Sequence, residues 1–362
     1  MSTYRVLGMM SGTSLDGLDL AYCHFEHGDQ GWSFEILEAT TIPYGTRMLA
    51  DLQNAIHHSE SRHDELHQEY GHWLGEQAKA FLTEHGLSVD FLASHGHTSH
   101  HRPEAGITFQ LGAGQALADA SGHRVICDFR TLDVQLNGQG APLVPIGDSL
   151  LFADFDFCLN LGGISNISFQ KHEKRIAFDI GMANMPLNHI TATIGQAYDA
   201  GGTMARSGTV DTELMEALNA LEYYRLSYPK STGFEWFEAE IKPLIEKCAA
   251  PIQDQLHTII KHNCVQIAKV VAQEASSGSN RLLVTGGGAL NTFFVDCLRE
   301  ALHPFCEVIV PSKRLIEYKE AMVFGFMGVL KERNAINILA SVTGAERDSS
   351  SGVLFKPSPH QP

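Results

Sequence analysis

Gly8-Met-Met-Ser-Gly-Thr-Ser-Leu-Asp-Gly-Leu-Asp-Leu-Ala-Tyr22 is a glycine-punctuated turn set between two apolar runs. Tyr4-Arg-Val-Leu7 before it reads as a first strand. After it, Leu18, Leu20 and Tyr22 alternate with Asp19 and Ala21, the period of a second, half-buried strand. Gly12 and Gly17 permit positive φ and close backbone approach. Ser11, Thr13 and Ser14 bring hydroxyls, while Asp16 and Asp19 suit a hydrated cation. Backbone N–H groups, hydroxyls and a carboxylate on one turn are what a magnesium-bound polyphosphate needs. The competing reading is a serine-rich hairpin with no ligand.

Working outward, the same arrangement recurs. Phe157-Cys-Leu-Asn-Leu161 runs into Gly162 and Gly163, then into Ile164-Ser-Asn-Ile-Ser-Phe169, so the second half of the chain opens as the first does. Arg281-Leu-Leu-Val-Thr285 leads to Gly286, Gly287 and Gly288 and a helix-like stretch over 289–302. Three glycine turns after apolar strands point to one nucleotide, with two turns on phosphates and the third beside the adenosine. No Gly-x-x-x-x-Gly-Lys-Ser/Thr is present, which excludes a P-loop, and Gly286–Gly288 do not fit Gly-x-Gly-x-x-Gly. The plainer reading of Gly286–Gly288 is a helix-entry turn packed on the sheet.

At 362 residues two domains are expected. The glycine-rich Asn137-Gly-Gln-Gly-Ala-Pro142 marks the crossing, which places an N-terminal domain over 1–130 and a C-terminal one over 131–362. The polar tail from Ser349 reads as loose, or as packing back on the first domain. The formal charge of −16 removes a broad basic footprint for nucleic acid or an anionic membrane. Seven scattered cysteines without a Cys-x-x-Cys read as reduced thiols, and residues 1–20 show no secretory pattern, so a cytoplasmic protein is expected. Ala321–Leu330, the most apolar helical run, is far short of a membrane span.

The segment Arg175-Ile-Ala-Phe178 reads as a strand ending at Asp179, and ligands in open α/β sheets lie at strand carboxyl ends. A base that takes a proton from water or a sugar hydroxyl belongs there; the alternative is an aspartate capping the next helix. His63 and His67 stand one helical turn apart in a long polar helix over 45–86. Asp64 occupies the position a zincin gives to glutamate, so solvated helix histidines are expected there. His95, His97, His100 and His101 cluster with Thr98 in what reads as a polar loop after a strand over 89–94. Asp128-Phe-Arg130 follows another strand, and Arg130 is suited to grip a carboxylate with two bonds or to make an interdomain pair.

These strings together resemble the anhydro-N-acetylmuramic acid kinases of the sugar-kinase, actin and heat-shock-chaperone superfamily, with matches running in order from residue 8 to about 330. The resemblance rests on the 8–22 turn, on Ser94-His-Gly-His-Thr98 and on Asp128-Phe-Arg130 followed by Gly138 to Pro145. It rests further on Asp179 with Gly181 and Asn184, on Tyr228-Pro-Lys-Ser-Thr-Gly-Phe-Glu235 and on Glu320-Ala-Met-Val-Phe324. It implies an α/β fold of two ribonuclease-H-like (actin-like ATPase) domains facing across a central cleft. ATP and Mg²⁺ would be held by Gly12, Thr13, Ser14, Asp16, Gly17, Asp19, Gly162, Gly163, Gly286, Gly287 and Gly288. His95, His97, Thr98, Asp128, Arg130 and Glu320 would contact the sugar, and Asp179 would be the catalytic base. A homodimer is implied as well. The chain departs from the family pattern at Ile180, Met182 and Ala183, at Asn188 where aspartate is usual, and at His97 in place of glutamine. A kinase for another anhydro sugar, such as levoglucosan, and a chaperone-like ATP-binding protein are the readings left open beside it.

Overall fold

The computed structural model describes residues 2–12 and 14–359; Thr13 lies outside the described residues. The chain forms two compact units, one drawn from residues up to Leu151 and from Tyr318 onward, the other spanning Phe152–Glu317.

The first unit begins with an antiparallel meander of β1 (Ser2–Ser11), β2 (Leu18–Gly28) and β3 (Gly31–Ile42). The helical stretch that follows is broken into α1 (Thr46–Gln53) and α2 (Glu60–Glu84). Local capping explains the break. The side chain of Asn54 folds back on the Ala50 carbonyl at 2.8 Å, and the Ser59 hydroxyl accepts from the Arg62 N–H to start the second helix. Leu66, Tyr70 and Leu74 share one face of α2 and are fully buried. Strand β4 (Phe91–Arg102) runs parallel to β1. The hairpin partner β5 (Ile107–Leu111) follows, then α3 (Gly114–Ser121), and β6 (Val125–Cys127) runs parallel to β4. The histidine cluster therefore lies on a strand and not in a loop, because β5 supplies hydrogen-bond partners as far as Arg102.

Two short helices, α4 (Thr131–Gln135) and α5 (Pro145–Leu151), complete this part of the chain. Both belong to the first unit, so the boundary expected at 130/131 falls inside it. Asp148 on α5 makes a 2.6 Å ion pair with Lys319, both side chains buried. Gln139, between the two helices, donates its N–H to the Thr343 carbonyl at 2.8 Å.

The second unit repeats the plan. A meander of β7 (Phe157–Leu161), β8 (Ile164–Lys171) and β9 (Lys174–Met182) precedes α6 (Asn184–Ala192), a series of short helices and the long helix Ile252–Glu274. Strand β10 (Asn280–Thr285) then pairs parallel with β7, and β11 (Cys306–Ile309) parallel with β10. The resulting order, β11-β10-β7-β8-β9, matches β6-β4-β1-β2-β3 in the first unit. This is an α/β protein with two mixed sheets, and the repeat sensed from strand, glycine turn and strand is a repeat of topology.

The helix Lys313–Glu332 carries Ala321, Val323, Phe324, Phe326 and Met327, all essentially buried. At roughly 1.5–3 kcal/mol for each large side chain, its apolar residues are a major part of the first unit's stability. Gly8 makes the approach to β1 possible, since any Cβ there would collide with the Ala321 carbonyl oxygen. As far as residue 359 the tail packs back on the first unit, the second of the two expectations for it, and is not loose. Asn337 exchanges two hydrogen bonds with Ser351, at 2.7 and 2.8 Å, and β12 (Val353–Phe355) pairs antiparallel with β6.

Candidate active site

In the first unit the β1–β2 turn is closed by a Leu15 N–H to Gly12 carbonyl bond of 3.2 Å, with Leu15 and Gly17 at positive φ. Ser14 and Asp16 are exposed on it. Asp19 is half-buried and accepts from the Thr41 hydroxyl at 2.6 Å. Among the described residues no group of three or more His, Cys, Asp or Glu is arranged to hold a metal ion.

Beside that turn stands a chain of hydroxyls that the sequence did not reveal. Tyr70 and Tyr44 are 3.1 Å apart, Tyr44 donates to Ser11 at 2.7 Å, and Ser11 is 3.1 Å from Nδ1 of His97. Because Tyr44 gives its proton to Ser11, Ser11 is free to give its own to His97 Nδ1. In that arrangement the His97 proton is on Nε2. Burial lowers the His97 pKa to about 4, so the ring is neutral near pH 7.

His95, two residues earlier, has the opposite tautomer. Arg130 Nε, which can only donate, lies 2.9 Å from His95 Nε2, so the ring proton sits on Nδ1 and goes to the Gly96 carbonyl at 2.9 Å. The His95 ring packs on Phe324, with centroids 4.6 Å apart, and burial pushes its pKa well down. Arg130 also donates Nη1 to the Gly140 carbonyl. Its pKa falls to about 10 through lost hydration, against the opposing pull of Glu320 and Asp133. Although solvent reaches part of Glu320, its carboxyl lies among protein atoms, and the reduced hydration there raises its pKa above the ordinary range, opposed by Arg130 and Lys319. Arg130, His95 and Glu320 thus form one electrostatic group.

Other expected contacts are engaged within the protein. Asp128, at φ +59°, accepts from the Thr131 N–H at 3.3 Å and so begins α4. Thr98 accepts from Gln110 Nε2 at 3.4 Å. His63 and His67 are not solvated: His63 bonds Ser99 at 2.9 Å, His67 accepts from the Gly112 N–H at 3.1 Å, and both rings pack on Phe109. The apolar β5 edge explains this, because it covers the helix face that carries them.

In the second unit Asp179 lies within β9 and not at its end. Ile180, the extra residue of a bulge opposite Ser165 and Asn166, and Met182 beyond it carry the strand onward as buried apolar residues. It caps no helix, since Ala183 holds the cap position of α6. Its Oδ2 accepts from the Thr232 N–H at 3.0 Å, its carbonyl accepts from the Tyr223 hydroxyl at 2.8 Å, and its own N–H goes to the Lys230 carbonyl at 3.2 Å. Desolvation raises its pKa, partly offset by the Thr232 N–H and the Lys230 charge. These three partners escaped notice at the sequence level, although Lys230 and Thr232 sit in the 228–235 segment that drew attention.

The two glycine turns of this unit meet. The carbonyls of Gly162 and Gly163 accept from the N–H groups of Ala183, Asn184 and Met185 at 2.8–3.2 Å, which ties the β7–β8 turn to the start of α6. Gly286, at φ +79°, packs so closely that a Cβ would lie 2.5 Å from Asn160 Oδ1 and 2.8 Å from the Leu161 carbonyl group. Next to them opens a cavity of about 280 Å³ whose lining includes Asn188, Tyr198, Ile260, Gly287 and Leu290. An apolar slot beside backbone-rich turns is a setting for a flat heterocycle with an anionic tail.

The anhydro-N-acetylmuramic acid kinase family model matches residues 4–357. Among similar proteins described as anhydro-N-acetylmuramic acid kinase, that of Gloeobacter violaceus is 33% identical over 372 residues, covering 96% of this chain and 97% of its own. That of Aliivibrio fischeri is 32% identical over 367 residues, covering 97% and 99% respectively. The Sulfurimonas denitrificans relative is 30% identical over 374 residues, with the same coverage.

Proposed function

The chain belongs to the anhydro-N-acetylmuramic acid kinase family, and from that premise we propose how its own residues carry out the family's ATP-dependent reaction. The substrate is 1,6-anhydro-N-acetylmuramic acid, released in peptidoglycan recycling. Asp179 takes a proton from water, which attacks the anomeric carbon. The bond from C1 to the bridging oxygen breaks, and the freed O6 attacks the γ-phosphoryl of ATP, giving N-acetylmuramic acid 6-phosphate and ADP. The observation that carries this reading is the Asp179 carboxylate. It is half-buried, fixed by the Thr232 N–H at 3.0 Å, and raised toward the range in which a carboxylate accepts a proton readily.

Arg130, aimed by His95 and Gly140, pairs with the lactyl carboxylate of the sugar. His97 offers its Nε2–H to a sugar oxygen, and Glu320 stands as a second acid near Arg130. The 280 Å³ cavity beside Gly286–Gly288 takes the adenosine, while Gly162, Gly163 and the 12–19 turn serve the phosphates. Oxygen donors at Asp16 and Asp19 fit a hard cation, and with no larger ligand group among the described residues Mg²⁺ would be held mainly by ATP and water. When bound, Mg²⁺ would neutralise charge on the transferring phosphoryl group.

All seven cysteines are free, which supports a cytoplasmic site of action. A homodimer is part of the same reading, and light scattering on the purified protein tests it. The reaction itself is tested by turnover in ¹⁸O-water with ATP-Mg²⁺ and a panel of anhydro sugars. Label at C1 of a phosphorylated muramic acid product supports it. Phosphorylation of levoglucosan in preference, or phosphate release without sugar dependence, sinks it.

A further inference from the structure

We infer that Asp133 and Thr343 are positioning residues for Arg130, and through it determinants of the preference for an acidic sugar over a neutral one. The inference rests on the reading of Arg130 given above. Asp133 is fully buried, 0% exposed. Its Oδ2 accepts from the Gly140 N–H at 2.7 Å and its Oδ1 from the Thr343 hydroxyl at 2.8 Å. Burying a carboxylate is unfavourable unless both oxygens find donors. Here the donors come from a loop and from the distant tail, so satisfying the charge fastens those two segments together.

The fastening reaches Arg130 directly. The guanidinium is gripped at two points, His95 Nε2 through Nε at 2.9 Å and the Gly140 carbonyl through Nη1. The first grip is backed by Phe324. The second is a backbone carbonyl in a loop at positive φ, and what holds that loop is Asp133. The tail adds further braces: Gln139 N–H to the Thr343 carbonyl at 2.8 Å, Glu346 N–H to the Leu136 carbonyl at 2.9 Å, and Asn137 Nδ2 to Glu346 Oε1 at 2.6 Å. Residues 343–346 are therefore part of the apparatus that aims one side chain. A bidentate grip on a carboxylate depends on planar orientation, so a guanidinium free to swing loses selectivity before it loses charge.

The test uses the full-length protein with Thr343→Val, Thr343→Ser, Asp133→Asn and Arg130→Lys. Calorimetry compares binding of 1,6-anhydro-N-acetylmuramic acid with 1,6-anhydro-N-acetylglucosamine, which lacks the lactyl carboxylate, and ATP affinity is measured alongside. We expect Thr343→Val and Asp133→Asn to weaken the acidic sugar about tenfold, leaving the neutral sugar and ATP unchanged, and Thr343→Ser to restore it. Equal losses on both sugars, or no loss on either, overturn the inference. If Arg130→Lys leaves the acid preference intact, the underlying reading of Arg130 falls first. If Arg130→Lys abolishes that preference while Thr343→Val does not touch it, only the positioning role falls. Thr343→Val keeps the question answerable should Asp133→Asn fail to fold.

Discussion

Ser11 and His97 stand 3.1 Å apart and join the end of β1 to β4, so the β1–β2 turn and the histidine-bearing strand share one hydrogen bond. A glutamine at 97 reproduces both of its faces, an acceptor toward Ser11 and a donor beyond. We expect His97→Gln to stay within about threefold of the parent in kcat/KM, and His97→Phe to lose about tenfold or more, as the buried Ser11 hydroxyl loses its partner at 97. Steady-state kinetics with the sugar varied decides it; equal behaviour of the two variants contradicts the role.

On the proposed mechanism, replacing Asp179 separates chemistry from binding. Asp179→Asn keeps the shape and the contact with Thr232, and turnover should fall by roughly 10²–10⁴-fold with nucleotide affinity unchanged by calorimetry. Near-normal turnover would take Asp179 out of the mechanism.

The charge of Lys230 lowers the Asp179 pKa, working against desolvation. Lys230→Gln therefore raises that pKa further. The base is active when deprotonated, so the acid limb of kcat/KM against pH should move to higher pH. A limb that stays in place, or moves the other way, shows that Asp179 does not set it.

Stability should depend on buried neutral histidines. His97 has its pKa lowered to about 4 and His262 to about 3, both by desolvation, from an ordinary 6.5. Between those values the unfolded chain binds protons that the folded one refuses. Folding stability is then complete above about pH 6.5 and is lost as pH falls toward 4, and for His262 toward 3. The loss is roughly 3 kcal/mol for His97 and roughly 5 kcal/mol for His262. Urea titrations at several pH values should show this slope, and His262→Gln should flatten it; an unchanged slope refutes the assignment.

Two adjacent glycines should respond differently. A side chain at Gly286 meets Asn160 and the Leu161 backbone and must adopt φ +79°, whereas nothing lies within 4 Å of a Cβ at Gly287. Gly286→Ala should cost at least about 1–2 kcal/mol and lower Tm. Gly287→Ala should leave Tm nearly unchanged but raise the KM for ATP, because Gly287 lines the cavity. Thermal melts and ATP kinetics on the pair test the placement of the nucleotide.

Much of this organisation was legible from local pattern. Strand, glycine turn and strand at 4–22 and 157–169 announced two similar sheets. What escaped depended on contacts made over long sequence distance. The polarity of 94–102 reads as a loop until β5 is seen beside it. Asp179 looks like the end of a strand because the bulge and the Lys230 carbonyl that carry the strand onward leave no mark in its neighbours. The histidines of α2 look solvated until Phe109 covers them. The two helices after residue 130 flank a glycine-rich stretch that resembles a linker, but their partners, Lys319 and Thr343, are encoded near the other terminus.

The pairing of β6 with β12 sets an order of assembly. The second unit comes from one unbroken stretch of message, whereas the first needs both the opening and the closing portions. During synthesis the inserted unit can finish its sheet while β6 still presents a bare edge, the kind of surface that recruits unwanted strands. Strand β12 emerges after every other described strand and covers that edge, so a chain that stops before it has one sheet complete and the other with β6 unpaired on that side.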